Sequence, residues 1–567
     1  MLKRIFFRIL LFSFLFSSAN LSGAEPSPAR GRNGMVSSAS DLASMVGLKI
    51  LEKGGNAIDA AVAVQFALAV TFPEAGNIGG GGFMVIHLAK GKNTTIDFRE
   101  TAPSCARRDV YLDDNGNVIN GMSTTGWTSS GVPGSVAGML YALDKYGSMT
   151  LDEVISPAIE LAENGFPLSY DLARDINYSY NEFVKYPSSK KIFTNAGERF
   201  IEGDYFIQTD LAKTLREILL KGKAGFYDGW VADSIVAQSA REGWNITKED
   251  IRNYFPVERK PVYGEYKGFQ IVSMAPPSSG GIALVETLNI LKNFNLNLLG
   301  WHGADYIYTI VEALKYVYAD RSKHLGDPDF YNVPATDLLS QKYADGIAEK
   351  IKERNGLAKP SDEIFPADFK DTESAETTHY VVADKYGNAV SCTTTINSAF
   401  GNKIVVNGAG FLMNNEMDDF SAKPGVPNQY GLIGSEANSI APHKRMLSSM
   451  TPTILLKDGK FYLAAGSPGG STIITTVLQI ILNVVDFNMN ISEAIGMPRF
   501  HHQWKPDRID YEKYAILKEQ REILFRKGEN IGKVRSLGRA EGIIYNAEKN
   551  IFYGATDPRG YGLAIGY

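Results

Sequence analysis

Residues 377–397 read TTHYVVADKYGNAVSCTTTIN, and this stretch decides the fold because two β-rich runs flank a glycine turn. The runs Thr378–Ala383 and Ala389–Ile396 are rich in β-branched and aromatic residues, which favour strands. The loop between them contains Lys385–Gly387, and a three-residue loop with glycine in the left-handed position is a common hairpin connection. The sequence therefore predicts an antiparallel β-hairpin here.

The register of this hairpin brings two threonines together. If residue 384 pairs with 388, the numbers of paired residues sum to 772, and Thr377 lies opposite Thr395. Their β-carbons would be about 5 Å apart on one face of the sheet. Two interpretations are open: an ordinary cross-strand threonine pair, or a strand-end hydroxyl with a second hydroxyl placed to hydrogen-bond it.

The rest of the chain alternates between helical and strand patterns. Helical patterns start at the capping residue Asp41 and run to Gly54, then cover Ala57–Ala69, Thr150–Leu161, Tyr306–Ala319 and the apolar run Ile473–Val485. Strand patterns cover Phe83–Leu88 and Gln270–Ser273, and the chain becomes richer in strands after residue 377. These patterns predict a mixed α/β fold (α+β) built in layers.

Composition excludes several classes of protein. With 44% apolar and 21% charged residues among 567, the chain is neither disordered, collagen-like nor a coiled coil. Length alone predicts three or four domains at about 150 residues each. A net charge of -5 without a basic stripe argues against a nucleic-acid partner. The seven histidines are scattered and His501-His502 are adjacent, so no metal site is predicted.

The N-terminus has the pattern of a secretory signal peptide. Lys3, Arg4 and Arg8 precede or interrupt the start of a short apolar segment, and small residues lead to a cleavage site after Ala24. The segment is too short to span a bilayer, which needs about 20 residues, so no stable membrane span is predicted. An uncleaved N-terminal anchor is the alternative. We expect residues 1–24 to be removed and the protein to be periplasmic or secreted.

The chain has only two cysteines, and it has one acidic segment that ends at the predicted hairpin. Cys105 and Cys392 allow at most one bridge, and we expect none; Cys392 is three residues from Thr395 and should point to the opposite face of its strand. Gly356–Glu376 holds two prolines and six acidic residues with little apolar periodicity. By itself this segment is an ordinary loop, but it ends abruptly at the first threonine of the hairpin.

Six stretches together resemble the γ-glutamyltranspeptidases, which belong to the N-terminal-nucleophile hydrolases. The resemblance is long and specific, and it extends over nearly the whole mature chain. Val381 departs from the pattern, because the family usually has Ser or Thr there. The stretches are Thr377–Gly401, Gly76–Phe83 (GNIGGGGF), Asp97–Pro103 (DFRETAP), Asn414–Phe420 (NNEMDDF), Leu447–Met450 (LSSM) and Gly466–Gly470 (GSPGG).

The resemblance implies a fold and a maturation step. It implies a four-layer αββα sandwich and autocatalytic cleavage between Glu376 and Thr377. Cleavage would give a large subunit of residues 25–376 and a small subunit of 377–567, which together form one globular heterodimer. Cleavage also gives Thr377 its own α-amine as a base, with a reference pKa of about 7.7–8.0.

The resemblance further implies a role for each site residue. Thr377 is the nucleophile, Thr395 orients it, and the Gly469 and Gly470 amides stabilise the oxyanion. The substrate α-carboxylate is assigned to Arg99, Ser448 and Ser449, and its α-ammonium to Asn397, Glu416 and Asp419. The residues alone favour a surface ion-pair residue at Arg99 and a turn at Ser448-Ser449, and they leave a solvated loop open at Asp418-Asp419. His379 shares the face of Thr377, and we expect it to hydrogen-bond within the structure.

The implied activity is that of a γ-glutamyltransferase and glutathione hydrolase. Its substrates are glutathione and related γ-glutamyl compounds, its acceptors are water, amino acids or dipeptides, and it needs no cofactor. Pro424–Leu432 matches the family's lid, with Tyr430 as its aromatic residue. Related cephalosporin acylases usually lack this lid. The alternatives are a cephalosporin or glutaryl acylase, a poly-γ-glutamate depolymerase, or an unprocessed exported binding protein without catalysis.

Overall fold

Two seven-stranded sheets dominate the computed structural model, which describes residues 26–366, 378–423, 425–426, 428–429, 431–434 and 436–567. The hairpin sheet has the order Leu563–Gly566, Gly34–Ser38, Thr378–Asp384, Ala389–Thr395, Gly81–His87, Asn93–Asp97, Val257–Arg259. The second sheet has the order Ala29–Gly31, Ile551–Thr556, Glu541–Asn546, Lys460–Gly466, Thr453–Lys457, Phe269–Ser273, Val262–Tyr266. All pairings in both sheets are antiparallel.

Helices cover both outer faces, and two smaller sheets lie at the periphery. The α-helices of the described residues are Asp41–Glu52, Ala57–Thr71, Ser135–Tyr146, Leu151–Asn164, Tyr170–Tyr178, Tyr180–Phe183, Pro187–Phe193, Thr209–Lys221, Lys223–Tyr227, Trp230–Arg241, Lys248–Arg252, Gly280–Leu291, Leu296–Leu299, Ala304–His324, Ala335–Leu338, Gln341–Glu353, Thr472–Val485, Ile491–Gly496 and Lys518–Lys527. The smaller sheets are Phe500–His501 with Ile509–Tyr511 and Ile531–Val534, and Phe166–Pro167 with Tyr205–Phe206.

The predicted hairpin register is confirmed. Thr378 pairs with Thr394 and Ala383 with Ala389, so paired numbers sum to 772 throughout the described hairpin. Gly387 has φ +92°, the left-handed conformation that this turn requires. The Asp384 carboxylate fixes the turn by accepting hydrogen bonds from the backbone N–H groups of Tyr386 (2.8 Å) and Asn388 (3.0 Å).

The four-layer αββα architecture is confirmed by the packing. The helices Asp41–Glu52 and Ala57–Thr71 lie on the outer face of the hairpin sheet, where Val36, Val382 and Val390 belong to their apolar cluster. On the other side, Gly280–Leu291 and Thr472–Val485 cover the second sheet. The inner faces of the two sheets pack against each other through residues such as Phe83, Val85, Val381, Leu463 and Ala465.

Most predicted elements are present, with small differences at their ends. The capping box at Thr150 is confirmed, because its side chain accepts from the Glu153 N–H and the Glu153 carboxylate accepts from the Thr150 N–H. The predicted cap at Asp41 is wrong by one residue. Ser40 is the N-cap, in an extended conformation, and Asp41 lies in the first turn, where its negative charge favours the positive end of the helix dipole.

Several predictions fall on residues that the structure does not describe. These are the signal peptide with its site at Ala24, the cleavage pair Glu376 and Thr377, and the lid residue Tyr430. Within the described residues, no helix is both long enough and apolar enough to cross a membrane. Cys105 and Cys392 are both free thiols, and Cys392 is buried on the helix-covered face of the hairpin sheet.

Candidate active site

The hairpin strand ends at Thr395, and the residues after it are held to a second loop. The Thr395 hydroxyl accepts from the Asn397 backbone N–H at 2.7 Å, and Asn397 has φ +69°. Asn397 Nδ2 donates to the Asn415 carbonyl (2.9 Å), while the Asn415 N–H donates to the Ile396 carbonyl (3.1 Å). These bonds place Asn397 beside the short 3₁₀ helix Glu416–Asp419.

Arg99 lies beside the same 3₁₀ helix and is completely buried. One guanidinium nitrogen, Nη2, donates to Asp419 Oδ2, and the other, Nη1, lies 2.6 Å from Glu416 Oε2 and 3.6 Å from Glu100 Oε2. Its Nε donates to the Met446 carbonyl at 3.2 Å. The structure thus brings Arg99, Glu416 and Asp419 together, and the alternative of a surface ion pair at Arg99 is wrong.

This cluster has more acidic groups than basic ones. Burial is the main cause that raises the pKa of Glu416, Asp419 and Glu100; mutual carboxylate repulsion adds to it for Asp419 and Glu100, and the Arg99 charge opposes it for all three. The pKa of Arg99 is raised, because these carboxylates outweigh the effect of its own burial. A buried site with surplus carboxylate charge favours a cationic group such as an ammonium.

Ser448 and Ser449 follow the carbonyls that contact Arg99. Both are buried, and Ser448 forms a parallel bridge with Ser278 instead of lying in a turn, so the alternative of a turn is wrong. The Ser448 hydroxyl accepts from the Met450 N–H at 3.1 Å. The Ser449 hydroxyl accepts from Arg321 Nη2 at 2.5 Å.

Arg321 was not predicted from the sequence. It lies in the helix Ala304–His324, is buried, and its Nε donates to the Ser279 hydroxyl at 2.9 Å. Burial lowers the pKa of Arg321 to about 9, although Tyr318 and Asp419 favour its charged form. The helical period could have predicted that Arg321 is buried, because Arg321 lies on the same face of the helix as the apolar residues Leu314 and Val317.

Gly469 and Gly470 form a turn at the end of the second sheet, between the strand Lys460–Gly466 and the helix Thr472–Val485. Both have positive φ, +130° and +58°, and a Cβ on Gly469 would lie 2.4 Å from Thr472 Oγ1. Their N–H groups donate to no acceptor within the described part of the chain. The turn therefore offers two backbone donors near the positive end of a helix dipole.

His379 hydrogen-bonds inside the sandwich, as expected. Its Nδ1 lies 2.9 Å from the Thr393 hydroxyl and its Nε2 lies 3.4 Å from the Ser391 hydroxyl. Its ring packs on Gly466, the last residue of the strand that leads to the glycine turn. Burial lowers the pKa of His379 to about 3, so the imidazole is neutral at physiological pH. Its role is to hydrogen-bond the neighbouring strand.

Two cavities border residues of this site. A cavity of about 380 Å³ is bordered by Thr378, Asn397 and Gly469. Another, of about 260 Å³, is bordered by Asp418, Asp419 and two described residues of the predicted lid segment, Gln429 and Leu432. Burial raises the pKa of Asp418 to about 6, and its carboxylate accepts from the Ser123 hydroxyl, so the alternative of a solvated loop at Asp418-Asp419 is wrong.

A comparison with protein families agrees with this geometry. Residues 43–567 match the model of the family described as gamma-glutamyltranspeptidase. The chain belongs to the γ-glutamyltranspeptidase family. The family and enzyme class predicted from the sequence are thereby confirmed, and the match covers the Arg99 cluster, the hairpin and the glycine turn.

Known proteins of this family and fold are similar over long stretches. The glutathione hydrolase proenzyme of Escherichia coli (strain K12) is 48% identical, and the alignment covers 100% of this chain and 99% of that protein. The γ-glutamyltranspeptidase structure from Helicobacter pylori is 48% identical with a TM-score of 0.57, over 58% of this chain and 94% of that chain. The cephalosporin acylase structure from Bacillus halodurans is 27% identical with a TM-score of 0.85, over 96% and 98%.

These similarities rank the predicted activities. The fold is shared with an acylase, but the sequence is considerably closer to the glutathione hydrolase proenzyme than to that acylase. The chain is therefore an enzyme of the γ-glutamyltransferase and glutathione hydrolase type. The word proenzyme in the name of its relative agrees with a precursor that is processed into subunits.

Proposed function

We propose that this γ-glutamyltranspeptidase family member binds γ-glutamyl donors such as glutathione at the Arg99 cluster and transfers the γ-glutamyl group to water, an amino acid or a dipeptide. The observation that carries the proposal is the buried Arg99 with Glu416 and Asp419 beside it. A γ-glutamyl group presents a carboxylate and an ammonium on one carbon, and this cluster presents the complementary pair of charges.

The roles within donor binding follow from the chemistry of each side chain. Arg99 provides a guanidinium for the α-carboxylate, and the Ser448 and Ser449 hydroxyls add donors. Glu416 and Asp419 accept from the α-ammonium, and the Asn397 side-chain oxygen is a third acceptor. Supporting this arrangement, the cluster holds a surplus of carboxylate groups whose charge is disfavoured by burial, and an ammonium would relieve that penalty.

Thr377 is the proposed nucleophile and Thr395 its orienting partner. The described pairs, whose numbers sum to 772, begin at Thr378 and Thr394, and the same register continued by one residue would pair Thr377 with Thr395. Cleavage of the Glu376–Thr377 bond would free the Thr377 α-amine to act as the base. The Thr377 oxygen would then bond to the γ-carbonyl carbon, the C–N bond would break, and the amine would pass the hydroxyl proton to the leaving nitrogen.

The Gly469 and Gly470 N–H groups are proposed to stabilise the oxyanion of each tetrahedral intermediate. In the second half of the reaction, water or an amine bonds to the same carbonyl carbon and the ester bond to Thr377 breaks. The proton lost by the incoming group returns to the Thr377 oxygen through the α-amine. Support comes from the two N–H groups, which have no acceptor in the described residues.

The proposal includes export of the precursor and its cleavage into two subunits. We infer that residues 1–24 direct export to the periplasm or the medium and are removed, and that residues 25–376 and 377–567 become the subunits of a heterodimer. The proenzyme name of the relative from Escherichia coli supports the internal cleavage. No cofactor takes part in these steps.

A pair of matched substrates tests the proposed donor. We expect γ-glutamyl anilide to release aniline, and a dipeptide acceptor to increase the rate of release. Glutaryl anilide lacks only the α-ammonium, so it should react at least about tenfold more slowly, because Glu416 and Asp419 lose a charged hydrogen-bond partner. Equal or faster reaction of the glutaryl compound would instead favour the acylase alternative.

Substitution of the glycine turn tests the oxyanion role. Gly469→Ala introduces a side chain at φ +130° and a close approach to Thr472, so the N–H groups should be displaced. We expect kcat for γ-glutamyl anilide to fall by about 10²–10³, the usual effect of losing an oxyanion donor.

Gly459→Ala is the matched control for this effect. Gly459 also has a positive φ, +74°, but lies in a hairpin turn with open space around it. Its substitution should leave kcat within about twofold of the unsubstituted enzyme, since it carries only a local backbone cost. A Gly469→Ala enzyme as active as this control would exclude the oxyanion role.

A further inference from the structure

The cavity of about 380 Å³ beside Asn397 and Gly469 has charged walls that the proposed mechanism does not use. Glu74, Asp175 and Arg539 line it together with the aromatic residues Phe72, Tyr178 and Phe400. Its volume lies within the range of small-molecule sites. The cavity therefore connects the glycine turn to a second polar surface, distinct from the Arg99 cluster.

Arg539 presents unused donors on this surface. Its Nη1 donates to Glu74 Oε1 at 2.8 Å, whereas Nε and Nη2 donate to no atom of the described residues. The side chain is 37% exposed. Its backbone N–H donates to the Ser467 hydroxyl at 3.1 Å, which ties Arg539 to the segment that leads into the glycine turn. A guanidinium edge with free N–H groups is suited to a carboxylate.

The neighbouring acids do not neutralise Arg539 fully. Burial raises the pKa of Glu74 to about 7, Arg539 opposes this shift, and the nearby Asp175 carboxylate adds to it. Near neutral pH, Glu74 is therefore only partly ionised. The Asp175 charge also favours protonated Arg539, but Asp175 is paired with a second cation, Arg174, at 2.8 Å, and accepts from the Tyr561 hydroxyl at 3.3 Å. Part of the positive charge of Arg539 thus remains available to the cavity.

We propose that this cavity holds the acceptor amine of the transfer reaction, and that Arg539 binds the carboxylate at the far end of an amino acid or dipeptide acceptor. The proposal rests on the proposed function, because it needs a γ-glutamyl ester at the glycine turn. The acceptor nitrogen bonds to the γ-carbonyl carbon, the ester C–O bond breaks, and the amine proton goes to the freed threonine oxygen. The dipeptide released from glutathione also ends in a carboxylate and would leave through the same cavity.

Two acceptors that differ only in this carboxylate test the proposal. Glycylglycine and glycylglycinamide are compared as acceptors from γ-glutamyl anilide, at equal concentrations of the unprotonated amine. We expect the unsubstituted enzyme to have a KM about tenfold lower for glycylglycine, the usual gain from a charged hydrogen bond. We call the KM for glycylglycinamide divided by the KM for glycylglycine the acceptor ratio. In Arg539→Gln the acceptor ratio should fall to near one, because the KM for glycylglycine rises.

Two further variants make the result specific. Arg539→Lys keeps the charge but not the fork of donors, so it should give an intermediate ratio. Arg216→Gln removes an exposed arginine that is paired with Glu163 and does not line the cavity. This variant should keep the acceptor ratio of the unsubstituted enzyme. Folding of each variant is checked by its processing into two polypeptides and by its thermal midpoint.

The possible failures can be told apart. An unchanged acceptor ratio in Arg539→Gln, or no preference in the unsubstituted enzyme, would overturn the acceptor site while hydrolysis of the donor still supports the proposed function. Equal losses of hydrolysis and transfer in Arg539→Gln would place Arg539 in the donor site instead and overturn the proposal. No aniline release by the unsubstituted enzyme would overturn both.

Discussion

Thr377→Ala is expected to remain a single uncut polypeptide and to lose γ-glutamyl anilide hydrolysis by about 10⁴-fold or more. The same hydroxyl is proposed to cleave the precursor and to attack the donor, so its removal abolishes both reactions. A denaturing gel and the release of aniline measure the two effects. The unsubstituted protein should give two polypeptides, divided before residue 377.

Two variants show whether the effect of Thr377→Ala comes from losing this hydroxyl or from any change in this part of the chain. Thr377→Ser retains a nucleophilic oxygen, so it should be processed and active at a reduced rate. Thr372→Ala changes a hydroxyl residue five positions earlier in the same acidic segment and should be processed and active as usual. A Thr377→Ala protein that is still cut and active would refute the nucleophile assignment, and an uncut but active unsubstituted protein would refute the role of cleavage.

The hairpin could be predicted because its determinants are local. Asp384, Gly387 and Asn388 lie within a few residues, and their turn fixes the register of every pair beyond them. The glycine turn and the polar loops were assigned by resemblance, and the structure places them at the same end of the sandwich. The helix boundary at Ser40 and Asp41 differed because both residues can cap, and only the backbone conformation decides which one does.

The contacts of the site could not be predicted because they join distant parts of the chain. Arg99 meets Asp419 across 320 positions, Arg321 meets Ser449 across 128, and Arg539 meets Glu74 across 465. No periodicity or turn signal encodes such pairs. They arise when the layers pack and a polar side chain must find a partner in the interior. The sequence therefore predicted most of the site residues, but it did not predict which of them contact each other.

Arg99→Gln should raise the KM for γ-glutamyl anilide by about a hundredfold or more, because the donor α-carboxylate loses charge-assisted hydrogen bonds. The buried position of Arg99 adds a second expectation. Its removal takes the Arg99 charge away from Glu100, Glu416 and Asp419, and breaking a buried ion pair costs about 3–5 kcal/mol. The thermal midpoint should therefore fall as well, and the two effects must be separated.

The double variant Arg99→Gln/Glu416→Gln separates them. It removes one charge of each sign, so the thermal midpoint should recover relative to Arg99→Gln, while the donor KM should stay high because no guanidinium is restored. Glu416→Gln alone keeps an acceptor oxygen and should retain measurable donor binding. If the double variant regained donor affinity together with stability, Arg99 would support the fold and not bind the carboxylate. A donor KM unchanged by Arg99→Gln would lead to the same conclusion.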